Sequence, residues 1–113
     1  MQESVCCEIA EFIAVLANPY RVRILCVLFD GEASVGEIAR AVSLPSAHVS
    51  SHLRTLYDRG YVDRRREWKQ VFYSLREPRI ESFLTMAASF TSTGESSVGE
   101  SSVGESSPIS SDR

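Results

Sequence analysis

Residues 45–75 read PSAHVSSHLRTLYDRGYVDRRREWKQVFYSL, and this stretch decides the fold. Its apolar residues recur at the spacing of one helix face: Val49, Leu53, Leu56 and Tyr57. The opposite face carries small or hydrogen-bonding residues and one arginine: Ala47, Ser50, Ser51 and Arg54. Small side chains allow a helix backbone to approach base edges closely, and an arginine can reach a guanine or a phosphate. A helix that begins at Ser46 and ends before Gly60 is therefore predicted to read DNA.

The residues after Gly60 predict a two-stranded hairpin rich in β-branched and aromatic residues. Its tip, residues 67–70, lacks Gly, Asn and Asp, so we expect a longer, mobile loop and not a tight two-residue turn. Three arginines and a lysine lie on this hairpin, where they either contact phosphates or form only a solvated edge. Helix and hairpin together predict a winged helix-turn-helix. The expected DNA-binding residues are Ser46, Ala47, His48, Ser50, Ser51, Arg54, Arg64, Arg65, Arg66 and Lys69.

Upstream, the sequence predicts three more helices. Ser4 is expected to cap the first, whose apolar stripe is Ile9, Phe12, Ile13 and Leu16. Asn18-Pro19 is a helix start, and the helix from Pro19 to Asp30 is apolar on most sides, so we expect it at the buried centre. Residues 34–37 form a capping box that opens a short third helix ending at Ala41. With a final helix from Pro78, the chain is predicted to be mainly α with a small β-hairpin, in the order α-α-α-α-β-β-α.

The charge is unevenly distributed along the chain. The net charge is −3, yet residues 40–79 hold nine bases and four acids, a local charge of +5. Positive charge is therefore concentrated in the predicted DNA-binding segment. No stretch approaches the roughly 18 apolar residues of a membrane span, and the first residues are acidic where a signal peptide would be basic. A cytoplasmic location without a membrane partner is expected.

The composition changes at Thr91. The segment Gly94-Glu-Ser-Ser-Val98 recurs at residues 99–103, and apolar residues become rare. Too few remain to offset the cost of ordering the backbone, about 1–2 kcal/mol per residue. The sequence thus predicts a folded domain over residues 1–90 and a disordered Ser/Gly/Glu repeat tail over residues 91–113. An expanded repeat without function and a partner-binding tail are both open.

Four segments resemble the ArsR/SmtB family of bacterial winged-helix repressors in their order and spacing. They are LANPYRVRILCVL (residues 16–28), SVGEIA (34–39), SAHVSSHLRTLYDRGYV (46–62) and VFYSL (71–75). The resemblance covers roughly residues 13–90. It implies a homodimer built from the first and last helices, which places two recognition helices on successive major grooves of an inverted-repeat operator in double-stranded DNA. It also implies a repressor that needs no cofactor and is released by an inducer.

The family's best-known metal motifs are missing. Where related arsenic and cadmium sensors carry two cysteines in the third helix, this chain has Ser34 and Gly36, and no histidine follows His52 for the zinc and nickel site of the last helix. Cys26 resembles the second-helix cysteine of a branch that responds to persulfides and oxidants. Adjacent Cys6 and Cys7 resemble the first-helix cysteines of some arsenic-responsive members, and thiolates favour soft ions such as arsenite or antimonite. The expected inducer residues are Cys6, Cys7 and Cys26.

Simpler interpretations stay open for several residues. Cys26 could be only a small buried hydrophobe, and Cys6-Cys7 an inert terminus. His48 and His52 have the spacing of a metal pair, but a DNA contact or helix packing accounts for them better. Trp68 could stack on a sugar or cover strand residues. No catalytic set is visible, so an enzyme is not expected. The competing function is a winged-helix module that binds another protein and has lost DNA binding.

Overall fold

The computed structural model describes residues 1–91; of the predicted tail only Thr91 falls within this range. The elements of this range are α1 (Glu3–Leu16), α2 (Pro19–Phe29), β1 (Ala33–Ser34), α3 (Val35–Val42), α4 (Ser46–Asp58), β2 (Val62–Glu67), β3 (Gln70–Leu75) and α5 (Pro78–Ala88). Residues 1–80 form one compact unit, and a second unit begins at Glu81, inside α5. The prediction of a mainly helical winged helix-turn-helix is confirmed.

The helix-turn-helix consists of α3 and α4, which are packed on α2. Its core contains fully buried residues from each helix: Ile24, Leu25, Ile38, Val49, Leu53 and Leu56. Two predicted caps are confirmed: the side chain of Asn18 accepts from the backbone N–H groups of Tyr20 and Arg21, and Ser34 and Glu37 form the reciprocal capping box. The turn between α3 and α4 is tight because Ser43 adopts a left-handed φ of 58°. Burial of one α4 face fixes which of its residues remain outside.

Two helices differ from the sequence prediction. α1 begins at Glu3 with Gln2 as its N-cap residue, so Ser4 lies inside the first turn and caps nothing. A side-chain cap contributes only about 1 kcal/mol, which does not fix a helix start on its own. The prediction that α2 is the buried centre is wrong in part, because only one of its faces is buried. Cys26 and Phe29 lie on the exposed side, and Cys26 is thus not a buried hydrophobe.

The sheet has three antiparallel strands in the order β1-β3-β2. The sequence did not predict β1, whose two residues pair with Phe72 and Tyr73 of β3. The hairpin of β2 and β3 is the wing, and the prediction of a longer, mobile loop at its tip is also wrong. Glu67 pairs with Gln70, which leaves only Trp68 and Lys69 between the strands. Continuous pairing from Val62 with Leu75 up to the tip sets the register, and this outweighs the missing turn residues. Gly60 follows the end of α4, as predicted, with a positive φ of 79° that glycine adopts without strain.

Within residues 1–91 no single helix is long and apolar enough to cross a membrane. Taken together, α1 and α2 reach the necessary length and composition, but the chain bends by 86° between them.

Candidate nucleic-acid interface

α4 turns its polar face outward because its apolar face is anchored in the core. Val49, Leu53 and Leu56 have no exposed surface. All the α4 residues predicted to contact DNA are exposed: Ser46, Ala47, His48, Ser50, Ser51 and Arg54. Within residues 1–91 no side chain caps the first turn of α4, so its leading N–H groups and the positive end of the helix dipole are available to an anion. The helix therefore presents a small-residue surface with one long cation.

The cations on this side of the molecule divide into paired and unpaired groups. Among the described residues, Arg54, Arg66 and Lys69 are exposed and have no hydrogen-bond or ion-pair partner. Arg64 instead lies 4.1 Å above the ring centroid of Tyr57, the last apolar residue of the α4 stripe. This cation–π contact ties the wing to the recognition helix. The unpaired cations are the ones that lose no intramolecular partner on meeting a phosphate.

Arg65 is held by acidic residues and differs in this from its neighbours. Its guanidinium donates to both carboxylate oxygens of Glu32, at 3.0 and 2.8 Å, and to Glu67 at 2.8 Å. It also lies 4.8 Å from the ring centroid of Phe72. The hydrogen bond from Arg65 lowers the pKa of the Glu32 carboxyl. Arg65 thus links β2 to Glu32 in the segment before β1. To contact a phosphate, as predicted, Arg65 would have to give up its hydrogen bonds to Glu32 and Glu67.

A cleft of about 390 Å³ lies where α3, α4 and the wing meet. Ser46 and Ser50 line it from α4, Lys69 from the wing tip, and Arg40 from α3. The structure therefore brings together predicted residues from two separate elements. Arg40 was missing from the sequence prediction, although it lies within the positively charged stretch. The signal that could have identified it is a basic residue in the last turn of α3, directly before the turn that leads to α4.

Arg21 connects three helices behind the α4 surface. Its Nη1 donates to the backbone oxygen of Val15 near the end of α1, at 3.0 Å, and its Nε donates to Nδ1 of His52 on α4, at 3.2 Å. The ring of Tyr20 stacks on His52 with centroids 6.2 Å apart. Of the two histidines, His48 is exposed and His52 is half-buried. His52 therefore serves helix packing, one of the two roles expected from the sequence.

The protonation of His52 should affect stability. Burial first, and then the charges of Arg21 and His48, lower the pKa of His52 below its usual 6.5. The folded state favours the neutral ring, whose Nδ1 accepts from Arg21, so the unfolded chain takes up a proton more readily. The stability that neutral His52 contributes is fully present above the pKa of this residue in the unfolded chain. It is lost as the pH falls through the lower pKa of His52 in the folded protein.

We therefore expect the free energy of unfolding of the wild type to fall more steeply than that of His52→Gln when pH is lowered from about 7.5 to about 5.5. The glutamine amide oxygen would still accept from Arg21 but would not titrate. Glu77, whose pKa is lowered to about 2 chiefly by its hydrogen bond from Arg79, does not titrate in this interval. Urea unfolding at each pH gives the measurement, and parallel curves for the two proteins would show that His52 does not titrate as proposed.

The three cysteines are exposed, and none forms a disulfide within the described residues. Cys6 and Cys7 lie on α1 and Cys26 lies on α2. No group of three or more His, Cys, Asp or Glu side chains within the described part of the chain is arranged to hold a metal ion. Partial desolvation of the Cys26 thiol, and then the negative charge of the Asp30 carboxylate, raise the pKa of this thiol and disfavour the thiolate. One protomer alone does not assemble the predicted thiol site.

Comparison with known proteins points to one family. The profile described as "Bacterial regulatory protein, arsR family" matches residues 18–64. The chain is 32% identical over 88 residues to the biofilm growth-associated repressor of Xylella fastidiosa (strain Temecula1 / ATCC 700964). The aligned stretch makes up 78% of this chain and 77% of that protein. It is also 35% identical over 78 residues to the probable mercury resistance operon repressor of Streptomyces lividans, and this stretch makes up 69% of this chain and 62% of that protein.

A solved structure leads to the same family. It is the solution NMR structure of a homodimeric winged helix-turn-helix DNA-binding domain from Mycobacterium bovis, described as a possible ArsR-family transcriptional regulator. It matches this chain with a TM-score of 0.66 at 26% identity and covers 79% of this chain and 88% of its own. All three proteins are described as regulators of transcription and none as an enzyme, as the sequence predicted for this chain.

Proposed function

Because the chain belongs to the arsR family of bacterial regulatory proteins, we propose that it is a sequence-specific DNA-binding repressor that a thiol-reactive inducer releases from its operator. The observation that carries the DNA-binding part is the surface formed by α4 and the wing. It joins an exposed face of small residues to the unpaired cations Arg54, Arg66 and Lys69. Small residues permit close approach to base edges, and unpaired cations neutralise phosphates at little cost.

The repressor acts as a homodimer on an inverted repeat. On α1, Val5, Ile9 and Ile13 recur every four residues and keep between 38% and 50% of their surface exposed. Such a stripe on a protomer is typical of a surface that a second copy covers. The Mycobacterium bovis relative is a homodimer, which supports the same assembly here. α5 presents its own exposed apolar residue, Met86. Two copies would offer two α4 helices to successive major grooves.

Arg54 is the residue we expect to read a base. Arg54→Ala should weaken binding to the protein's own upstream DNA by about 1–3 kcal/mol, which corresponds to a loss of about 5- to 150-fold, because a bidentate arginine–guanine contact would be lost. It should also relax the preference at one base position per half-site. Fluorescence anisotropy of labelled duplexes with single base changes measures both effects.

Arg59→Ala is the matched control, since Arg59 is an exposed arginine just after α4 and outside its reading face. Its substitution should leave the base preference unchanged. If Arg54→Ala binds like the wild type at every position, α4 does not read DNA through Arg54, and a protein partner for this face becomes the better account.

The inducer chemistry rests on the three thiols. Cys6, Cys7 and Cys26 are exposed and accessible to reagents, and they are all the cysteines of the chain. Soft trivalent ions such as arsenite or antimonite bind three thiolates, whereas a persulfide or an oxidant requires two. The probable mercury resistance repressor of Streptomyces lividans is a relative associated by its name with a soft metal. Because one protomer does not cluster the thiols, the site forms across the dimer or after α1 shifts.

A further inference from the structure

Trp68 is the residue whose conformation and surroundings are explained least by folding. It is the single tryptophan of the chain and occupies the first of the two central positions of the wing turn. Its φ is 61°, whereas the second position, Lys69, is outside the left-handed region. This is the φ pattern of a type II′ hairpin turn, in which the first position strongly favours glycine. Trp68 is thus a large aromatic residue at a position whose positive φ favours glycine.

The indole ring does not compensate for this conformation by packing. Trp68 is 87% exposed, the most exposed aromatic side chain among the described residues. The second sequence interpretation, that it covers strand residues, is therefore wrong. A residue that fits neither the turn nor the core, and that breaks a local preference without a compensating contact, is typical of a functional position.

The surroundings of the ring indicate which kind of ligand it can meet. Lys69 follows it directly and Arg66 precedes it by two positions, and both cations are exposed without a partner within residues 1–91. Lys69 also lines the cleft that includes Ser46 and Ser50 of α4. A polyanion that lies along α4 would therefore reach the wing tip, where its phosphates meet the cations and a flat apolar surface meets the ring. Sugar faces are the apolar surface that DNA offers beside its phosphates.

We propose that Trp68 is a DNA-contact residue whose indole packs on a deoxyribose at the edge of the groove next to the one occupied by α4. The inference rests on the proposed DNA-binding function and names a residue and a contact mode for it. Because the sugar is the same in every nucleotide, the contact adds affinity without base preference. Lys69 and Arg66 hold the adjacent phosphates and fix the height of the ring above the sugar.

The chain provides its own probe, since all tryptophan emission comes from Trp68. Titrating the full-length protein with fluorescein-labelled upstream duplex gives anisotropy, which reports binding, while unlabelled duplex gives tryptophan emission, which reports the ring. We expect binding to shift the emission to shorter wavelength and to protect it from acrylamide quenching. Binding with unchanged emission and unchanged quenching would overturn the proposal and leave the DNA-binding function standing. An absence of any anisotropy increase would overturn the DNA-binding function, and this inference with it.

Substitution separates a DNA contact from a structural role. Trp68→Gly should keep or raise the melting temperature, because glycine adopts the left-handed φ without strain, and should still weaken DNA binding about tenfold. Trp68→Phe should retain most of the affinity, since it keeps an aromatic face. The losses should be equal on the upstream duplex and on a scrambled duplex. Wild-type affinity in the glycine variant, or a loss confined to the upstream duplex, would contradict sugar packing by the ring.

Discussion

Raising the salt concentration from about 50 to about 200 mM should weaken operator binding about a thousandfold. Each protomer offers the unpaired cations Arg54, Arg66 and Lys69 on one surface. If a dimer neutralises about six phosphates, the slope of log K against log salt is about −5, because each neutralised phosphate releases condensed counterions. Anisotropy titrations at four or five salt concentrations measure this slope directly.

Matched variants assign the slope to particular residues. Replacing both Arg66 and Lys69 with glutamine should reduce its magnitude by about one for each cation lost. Arg79→Gln also removes a positive charge, but its guanidinium is bound to Glu77 at 2.7 Å and lies outside the α4–wing surface. It should therefore leave the slope unchanged. A slope near zero in the wild type, or an equal reduction per charge in Arg79→Gln, would show that overall charge and not this surface determines binding.

Replacing all three cysteines with serine should abolish inducer release while leaving operator binding intact. The thiols are exposed and remote in sequence from α4 and the wing, so serine should disturb neither the fold nor the DNA surface. In the wild type we expect the inducer to lower operator affinity by about 5- to 150-fold, the usual range of coupling between two sites. The assay is release of labelled upstream duplex, with arsenite, cadmium, polysulfide and peroxide tested in parallel.

Single variants distinguish the two chemistries. A trivalent ion that uses three thiolates should lose its effect when any one of Cys6, Cys7 or Cys26 is replaced. A disulfide or polysulfide link uses two, so it should tolerate the loss of either Cys6 or Cys7 and fail without Cys26. Release of the triple variant by the same inducer as the wild type would place the sensor elsewhere and leave the thiols without a regulatory role.

The features that the sequence predicted correctly are those with local causes. Asn18 and Pro19 start α2 through a side-chain acceptor and a preset φ, and Ser34 with Glu37 starts α3 through two hydrogen bonds three residues apart. The exposed face of α4 followed from helical periodicity alone, because burial of one face fixes the other. These signals lie within one or two turns of helix, and no distant partner competes with them.

The features that the sequence could not predict depend on distant residues. Arg65 meets Glu32 across 33 positions, and Arg21 meets His52 across 31. Periodicity records which face a residue occupies but not which partner it meets there. The prediction for the wing turn failed for a related reason. Strand pairing along β2 and β3 leaves a two-residue connection, although Trp68 must then adopt a positive φ that residues with side chains rarely adopt. The burial of α2 was overestimated because an apolar helix need not be buried on every side, and Cys26 lies on its exposed side.

In the proposed repressor α4 reads sequence while the wing supplies charge, and one ratio separates these two roles. This is the affinity for the upstream duplex divided by that for a scrambled duplex, measured for the wild type, for Arg54→Ala and for Arg66→Gln with Lys69→Gln. We expect a ratio well above one in the wild type, a reduced ratio in Arg54→Ala, and in the double wing variant a loss of affinity that is equal for both duplexes. A wild-type ratio of one, or a ratio that falls in the wing variant and not in Arg54→Ala, would contradict it.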